Sequence, residues 1–293
     1  MRTHSLSRAV AALLLAAAPA AADGLSVTTR EDHLRDCSDL EVTAHGRPVA
    51  RAGESFTLPA PRGGARLIVE GSRNGGVYVT GGAGRDYEVH VCKAAAAGTQ
   101  EAAERQLERI RVEAGDDRLA GSGPSGSDWL VYFLIAAPRD AAMDVAVHNG
   151  PLAVRDAAGD FRLRAENGPI ALRGTEGTFD VAVQNGPVAI SGGGGDVKVR
   201  ANNGPISVRL ADGDWQGEGL DARAVNGPLS LSVGESFRSG VVVEASGNSP
   251  WSCTGCAAAR RTWQDEGRRF ELGDGPVRVR LSTVNGPVSI KVR

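Results

Sequence analysis

The four cysteines, Cys37, Cys92, Cys253 and Cys256, carry the most readily assigned chemistry in this sequence. An even cysteine count in a chain with an export signal predicts two disulfides, and proximity pairs Cys253 with Cys256, leaving Cys37 for Cys92. The motif WSCTGC is also compatible with a thioredoxin-like redox site, which needs a thiolate at a helix N-terminus. A metal site is a third alternative, although no histidine lies close to the pair. The surrounding Gly- and Ser-rich, β-type sequence favours a structural loop staple.

Acidic residues recur at regular positions and could serve calcium binding or hydrolysis. Three Gly-Asp steps, at 159–160, 195–196 and 213–214, are equivalent in spacing, but GGGGD at 192–196 is one residue short of the calcium-binding G-G-x-G-x-D repeat. The Gly-Asp pairs are explained equally well as turns, in which both residue types are common. Hydrolysis of a polysaccharide needs clustered acids or bases. The column 162, 180, 198 reads Arg, Asp, Lys, which is typical of a solvated ladder of cross-strand pairs. We identify no catalytic constellation, metal site or cofactor site.

The triplet Asn-Gly-Pro recurs six times and sets the rhythm of the chain. Four of its asparagines are spaced 18 residues apart, and a glycine follows each of these four by ten residues. Apolar residues alternate after each Pro and again after each glycine, so each unit predicts two short strands joined by two turns. The predicted turn residues are Asn149, Asn167, Asn185, Asn203, Asn226, Asn285, Gly159, Gly177, Gly195 and Gly213. A period near 20 residues is typical of a repeat array, whose units need neighbours to be stable.

Two all-β architectures are compatible with this rhythm. Asn-Gly is a strong hairpin signal and would favour an antiparallel meander or sandwich. The following Pro removes a backbone donor where the returning strand would begin, which weakens that alternative. The sequence therefore favours a right-handed, single-stranded parallel β-helix with 18-residue coils, in which like residues stack on like.

The repeat pattern also extends beyond the four regular units. Segments 73–91 and 128–147 resemble degenerate coils, and Met143 and Val145 fall in the apolar columns. A helix is predicted near 98–112, packed across the end or flank of the repeat. An insertion at 251–271 carries the Cys-x-x-Cys pair, and strands resume after it.

One row of small residues points outward between two apolar columns. Its members in the repeat are Ala153, Ala171, Ala189 and Ser207, with Ser230 and Ser289 at equivalent places, and Arg155, Arg173 and Arg209 border it. An Ala-rich sequence can place alanine wherever size is free, so the row can be a neutral surface. Alternatively, it is a flat contact face covered by the predicted helix, the insertion, another subunit or a ligand, and we adopt this as the hypothesis.

The first 22 residues have the properties of a secretory signal peptide. Arg2 and Arg8 precede an apolar run, and Ala20-Ala21-Ala22 offers a small-residue cleavage site. Without this leader the chain has 31 basic and 35 acidic residues, which does not suit a nucleic-acid-binding protein. No later segment is apolar enough to span a membrane. We therefore expect an exported, periplasmic or extracellular protein without a transmembrane segment in its mature form.

The repeated NGP strands, the Gly-centred second turn and the segment AAERQLERIRVEAG together resemble the bacterial putative-adhesin domain family. The resemblance covers residues 65–293, after an N-terminal region at 23–64. It implies a β-solenoid of the cell envelope without enzymatic activity, and it transfers no catalytic residues. The function expected is binding of, or structural support to, an envelope protein or glycan. The alternative is a carbohydrate-active β-helix enzyme, and the oligomeric state is left open.

Overall fold

The computed structural model describes residues 24–29, 34–257, 259–263 and 267–293. The predicted signal peptide at 1–22 lies outside these residues. Within them, the chain is an all-β protein with one α-helix, α1 (Gln100–Leu107), and two short 3-10 turns, Cys37–Asp39 and Arg62–Gly64. The predicted helix at 98–112 is therefore shorter than expected.

The strands of the described residues, in chain order, are β1 (Ser26–Thr29), β2 (Leu40–Thr43), β3 (Val49–Leu58), β4 (Leu67–Glu70), β5 (Gly75–Gly81), β6 (Tyr87–Ala96), β7 (Arg111–Ala114), β8 (Arg118–Ser122), β9 (Trp129–Ala137), β10 (Ala141–Asn149), β11 (Leu152–Arg155), β12 (Ala158–Asn167), β13 (Ile170–Arg173), β14 (Glu176–Asn185), β15 (Val188–Ser191), β16 (Asp196–Asn203), β17 (Ile206–Leu210), β18 (Gly219–Asn226), β19 (Leu229–Val233), β20 (Gly240–Ser246), β21 (Trp251–Thr254), β22 (Arg260–Trp263), β23 (Gly267–Leu272), β24 (Val277–Asn285) and β25 (Val288–Val292).

Two large sheets contain all of these strands except β1 and β2, which form a separate antiparallel pair. Sheet I has the order β22-β23-β20-β24-β18-β16-β14-β12-β10-β4-β8-β7. Sheet II has the order β21-β25-β19-β17-β15-β13-β11-β5-β9-β6-β3. Each regular unit contributes one strand to sheet I and the next strand to sheet II.

The repeat strands pair in parallel, in the register that the sequence period predicts. In sheet I, Phe161 lies opposite Phe179, and in sheet II Leu152 lies opposite Ile170, each a step of 18 residues. Met143 lies opposite Phe161, which confirms its predicted column. Side chains alternate between the two faces of a sheet with a period of two. A shift by an even number of residues between parallel strands therefore keeps equivalent residues on the same face.

Antiparallel pairing at the ends makes both sheets mixed. In sheet II, β6 pairs antiparallel with β3 and β9, and in sheet I β23 pairs antiparallel with β20 and β22. The expectation of a coil at 73–91 is wrong in its second half, because β6 returns within sheet II instead of crossing to sheet I. Alternation alone predicts a strand at 87–96 but cannot choose its partner.

The main hydrophobic core lies between the two sheets. Inward side chains of the repeat are almost fully inaccessible, and the Phe161 and Phe179 rings stack with centroids 4.8 Å apart. Columns of like residues therefore pack continuously from one strand to the next along each sheet.

The Asn-Gly-Pro corner is held by side-chain and backbone ladders. Each asparagine donates its Nδ2 to the Oδ1 of the previous one over 2.9–3.3 Å, in the series Asn74, Asn149, Asn167, Asn185, Asn203, Asn226 and Asn285. The following glycines stack backbone on backbone, and a Cβ on Gly168 would overlap the carbonyl oxygen of Gly150. Most of these asparagines are exposed, so the ladder joins successive side-chain amides along the surface of the corner.

The second corner follows the prediction for three coils and then departs from it. Gly159, Gly177 and Gly195 stack, but Gly213 leaves the column and forms an isolated bridge with Phe237. Leu220, instead of Trp215, lies opposite Val197. The interval from Asn203 to Asn226 is five residues longer than the regular 18, and the additional residues shift the register. Trp215 remains buried, and its Nε1 donates to the Gly195 carbonyl over 3.0 Å.

Different elements cover the two ends of the core. At the N-terminal end, α1 contacts β3 and β6 and buries Ala103, after its N-cap residue Thr99 accepts a hydrogen bond from the Ala102 amide. At the C-terminal end, Trp251 of β21 packs edge-to-face on Trp263 of β22, with centroids 5.5 Å apart. Capping of this kind keeps the terminal apolar columns from water.

Substitution of Gly168 by alanine is expected to destabilise the protein by about 1–3 kcal/mol, the usual cost of overpacking a rigid site. The added Cβ meets backbone of the neighbouring coil, which cannot move without breaking its ladder. Thermal unfolding followed by circular dichroism measures the effect. Gly98→Ala is the control, because nothing lies within 4 Å of the position that its Cβ would take and its stability should be unchanged. Equal melting temperatures for the two variants would contradict the stacking argument.

Candidate functional site: the outer face of sheet II

The outward positions of sheet II form three straight columns. The first column is built from the residues before each strand, namely Pro151, Pro169, Pro187, Pro205, Pro228, Pro287 and Pro250. The second contains Ala153, Ala171, Ala189, Ser207, Ser230, Ser289 and Ser252. The third contains Arg155, Arg173, Ser191, Arg209, Ser232, Lys291 and Thr254. The structure thus places every predicted face residue in one of two adjacent columns.

Two members of this face were missed by the sequence analysis. Ser252 and Thr254 belong to β21, which pairs in parallel with β25 and extends the columns by one strand. The segment Pro250-Trp251-Ser252-Cys253 repeats the pattern Pro-apolar-small-apolar of the regular units, so the signal was present. It was obscured because Ser249 replaces the usual glycine and the segment lay in the predicted insertion.

The N-terminal segment covers one end of the face. Leu40 and Val42 of β2 form a second small core with Cys92, Tyr132 and other residues of β6 and β9. The Cys37–Cys92 disulfide, with its sulfurs 2.04 Å apart, fastens this segment to sheet II. Neither α1 nor the region around β21 lies over the small-residue column: α1 contacts β3 and β6, and β21 extends the sheet edge. In the sequence, the predicted Cys37–Cys92 disulfide was the feature that indicated contact between the N-terminal segment and sheet II.

Accessibility along the second column increases away from that cover. Ala153, Ala171 and Ala189 are half-buried, whereas Ser207, Ser230, Ser289 and Ser252 are exposed. The exposed half of the face therefore presents hydroxyl groups, and the alanines lie nearer the N-terminal segment. Because the register is parallel, small side chains occupy equivalent positions on neighbouring strands throughout the second column.

The seven strands that form these columns contain four cations and no Asp or Glu. Within the described residues, Arg209 and Lys291 make no ion pair and are exposed. Acids lie in the turns that follow these strands: Asp156 directly follows Arg155, Asp212 lies shortly after Arg209, and the Asp212 carboxylate accepts a hydrogen bond from the Ser236 amide over 3.0 Å. Within these seven strands the charged side chains are therefore all cationic, although the whole chain has 33 basic and 35 acidic residues.

Sheet I differs because its outward charges are largely neutralised by each other. Arg164 pairs with Asp144 over 3.0 Å, Arg200 pairs with Asp180 over 2.9 Å, and Lys198 pairs with Asp196 over 2.9 Å; the series of ion pairs continues with Arg223 and Asp221. The hydrogen bond from Arg223 holds the pKa of Asp221 below its usual value. The column 162, 180, 198 predicted pairs between its own members, but Asp180 pairs with Arg200 and Lys198 pairs with Asp196, so the partners lie outside the column.

The acids of sheet I also border a shallow cavity of about 260 Å³. Asp160, Asp180 and Asp196 line it together with Arg66 and Lys198. Each of these carboxylates is held in an ion pair, Asp160 with Arg66.

The remaining residues singled out for chemistry lie apart from each other. Cys253 and Cys256 are joined as a disulfide beside β21, and Cys256 is buried. His148 is half-exposed and pairs with Glu166 on the corner next to the asparagine ladder. Over the residues that the structure describes, no group of three His, Cys, Asp or Glu side chains could hold a metal ion. None of the helices in that part of the chain has the length and apolar character needed to cross a membrane.

Two tyrosines lie at the covered end of the face, and their pKa values depend on that cover. Tyr78 and Tyr132 stack with ring centroids 6.0 Å apart under the N-terminal segment. Burial raises the pKa of Tyr78 to about 12 and also raises the pKa of Tyr132. Burial raises the pKa of Tyr87, the third tyrosine of the chain, within the main core.

Removal of the covering disulfide should lower the pKa of Tyr78 and Tyr132. In Cys37→Ser/Cys92→Ser the N-terminal segment is held less tightly, so both phenols gain water and titrate closer to about 10, their ordinary value. Because folding raises these pKa values, the stability linked to them is fully present below about pH 10 and is lost as the pH rises further. Tyrosinate absorbance against pH measures the shift.

The matched control is Cys253→Ser/Cys256→Ser, which leaves the covered end untouched. Its tyrosine titration should equal that of the unmodified protein, and Tyr87 should titrate unchanged in both variants. An unaltered titration in Cys37→Ser/Cys92→Ser would show that packing alone holds the N-terminal segment in place.

No protein-family model matches this chain, and no curated protein matches it. Among solved structures, the chain is similar to a putative cell adhesion protein from Clostridium sporogenes, at 14% identity and a TM-score of 0.34, over 83% of this chain and 100% of the other. It is also similar to a putative adhesin from Bacteroides fragilis, at 14% identity and a TM-score of 0.31, over 83% and 97% of the two chains. A third similar structure is a putative adhesin from Parabacteroides merdae, at 8% identity and a TM-score of 0.37, over 85% and 97%. These structural neighbours bear the adhesin description of the family that the repeat resembles, at low sequence identity.

Proposed function

We propose that this protein is a non-enzymatic, exported cell-envelope protein that acts through the outer face of sheet II. The observation that carries the proposal is the exposed half of that face, where a column of serines lies beside a column that alternates cations with hydroxyl residues. A rigid array with small side chains lets an extended partner approach the backbone closely along its whole length. The partner is an envelope protein or glycan.

The finer architecture belongs to the same proposal. We interpret the alternation of strands between sheets I and II as a right-handed parallel β-solenoid with 18-residue coils. The parallel register supports a solenoid, and right-handed connections are the general rule for parallel strands. We also propose that residues 1–22 are removed on export and that residues 65–293 form the solenoid domain after an N-terminal region at 23–64.

Export is supported by the two disulfides. Cys37–Cys92 and Cys253–Cys256 together use all four cysteines of the chain. Disulfides of this kind persist outside the reducing cytosol. We therefore place the protein in the periplasm or outside the cell, and we assign Cys253–Cys256 the role of a structural staple at the C-terminal end.

Charged substitutions on the face should weaken attachment to the envelope. Ala189→Glu/Ser230→Glu introduces two carboxylates into the second column without entering the core, since both side chains point outward. Co-sedimentation of the purified exported protein with isolated envelopes of the source cell measures attachment. We expect the retained fraction to fall severalfold.

The control is Ala182→Glu/Ser282→Glu, which makes the same two changes at outward positions of sheet I. Both variants should melt near the temperature of the unmodified protein. Equal retention of the two variants would contradict a role for sheet II, and equal loss would indicate a general effect of charge.

A further inference from the structure

Two cations of sheet II, Arg209 and Lys291, differ from the cations of sheet I in a way that points to a partner. On sheet I, outward Arg and Lys side chains lie beside Asp residues of the same or neighbouring strands. On sheet II, Arg209 and Lys291 stand among serines and threonine, and none of the strands β11, β13, β15, β17, β19, β25 and β21 contains a carboxylate. Within these strands the charged side chains are all cationic, and charges of this sign attract anions.

We propose that the exposed half of this face binds a linear anionic polysaccharide, laid across the strands along the second and third columns. This inference rests on the proposed function and names the chemical class of the partner. Carboxylate or sulfate groups of the polymer contact Arg209 and Lys291, and its hydroxyl groups exchange hydrogen bonds with the exposed serines. The cations of the face favour a partner with negative charge. The serine hydroxyl groups can exchange hydrogen bonds with the hydroxyl groups of a sugar.

The spacing of the cations suits a polymer better than a single small anion. Arg209 lies on β17 and Lys291 on β25, with β19 between them. Neighbouring strands lie about 4.8 Å apart, so these two side chains originate roughly 10 Å from each other along the face. One extended chain can therefore reach successive cations, whereas one isolated anion cannot.

Side-chain composition disfavours two other polyanionic partners. Single-stranded nucleic acids bind on aromatic side chains on which bases stack, and the outward positions of β17, β19, β25 and β21 contain no aromatic residue. Anionic membranes are bound by surfaces that also insert apolar side chains. Among the described residues, the exposed large apolar side chains are Ile68, Val225, Trp263, Val277 and Val284, none of which belongs to these columns.

Binding of defined polymers to the purified exported protein tests the proposal. The probes are polygalacturonate, which carries carboxylates, dextran sulfate, which carries sulfates, and neutral dextran. We expect binding of one or both charged polymers, weakening as salt is added, and no binding of neutral dextran. Binding of neutral dextran as tightly as the charged polymers would overturn the proposal, as would failure of both charged polymers to bind.

A matched pair of variants locates the site. Arg209→Gln/Lys291→Gln should weaken binding roughly 3- to 10-fold, as expected for the loss of two exposed ionic contacts. Arg162→Gln/Arg280→Gln removes two exposed cations from sheet I and changes the net charge equally, so its affinity should stay unchanged. Equal weakening by the two variants, or none by either, would overturn the assignment to sheet II.

The same variants separate this inference from the proposed function. If charged polymers do not bind but Ala189→Glu/Ser230→Glu still loses envelope attachment, the face is a contact surface for a partner of other chemistry and the inference fails alone. If Ala189→Glu/Ser230→Glu leaves envelope attachment unchanged while Arg209→Gln/Lys291→Gln loses polymer binding, the polysaccharide site is supported and the proposed envelope role is contradicted.

Discussion

The close stacking of backbone at the Asn-Gly-Pro corner is the constraint on which the rest of the structure depends. Glycine after glycine lies so close to its neighbour that no Cβ fits, and the asparagine beside it hydrogen-bonds to the next coil. A slip of one residue would break both ladders and turn every apolar side chain to the wrong face. The corner therefore fixes the register of sheets I and II together.

Once the register is fixed, the inward side chains form the core. The residues at outward positions can then differ between the two sheets without changing that core. Sheet I uses its outward positions for paired charges, which keep a broad sheet soluble at little energetic gain per pair. Sheet II uses small hydroxyl residues and unpaired cations such as Arg209. Its covered end is fastened by the Cys37–Cys92 disulfide, which leaves the serine-rich half to face solvent. The same fold thus separates a self-neutralised surface from one that offers charge to a partner.

The regular coils were predictable because their local signals agree with one another. The asparagine spacing, the apolar alternation and the small outward residues all predicted the pairings seen for β11 through β17. Where the period breaks, prediction failed. Trp215 continues the alternation in sequence, but the extra residues before Asn226 move Leu220 into its column. Likewise, β6 has the pattern of a strand without any signal for its antiparallel partners β3 and β9.

By itself, the sequence determined the period of the repeat, the inward and outward alternation, the corner residues and the two disulfide pairs. These features are local or repeat at constant spacing, so identical residues necessarily stack on one another. Only the tertiary structure decided which half of the small-residue face is covered and which cations stay unpaired. Both depend on contacts between segments far apart in the chain, such as β2 with β6 and β9, whose free energy comes from surface buried after the coils have assembled.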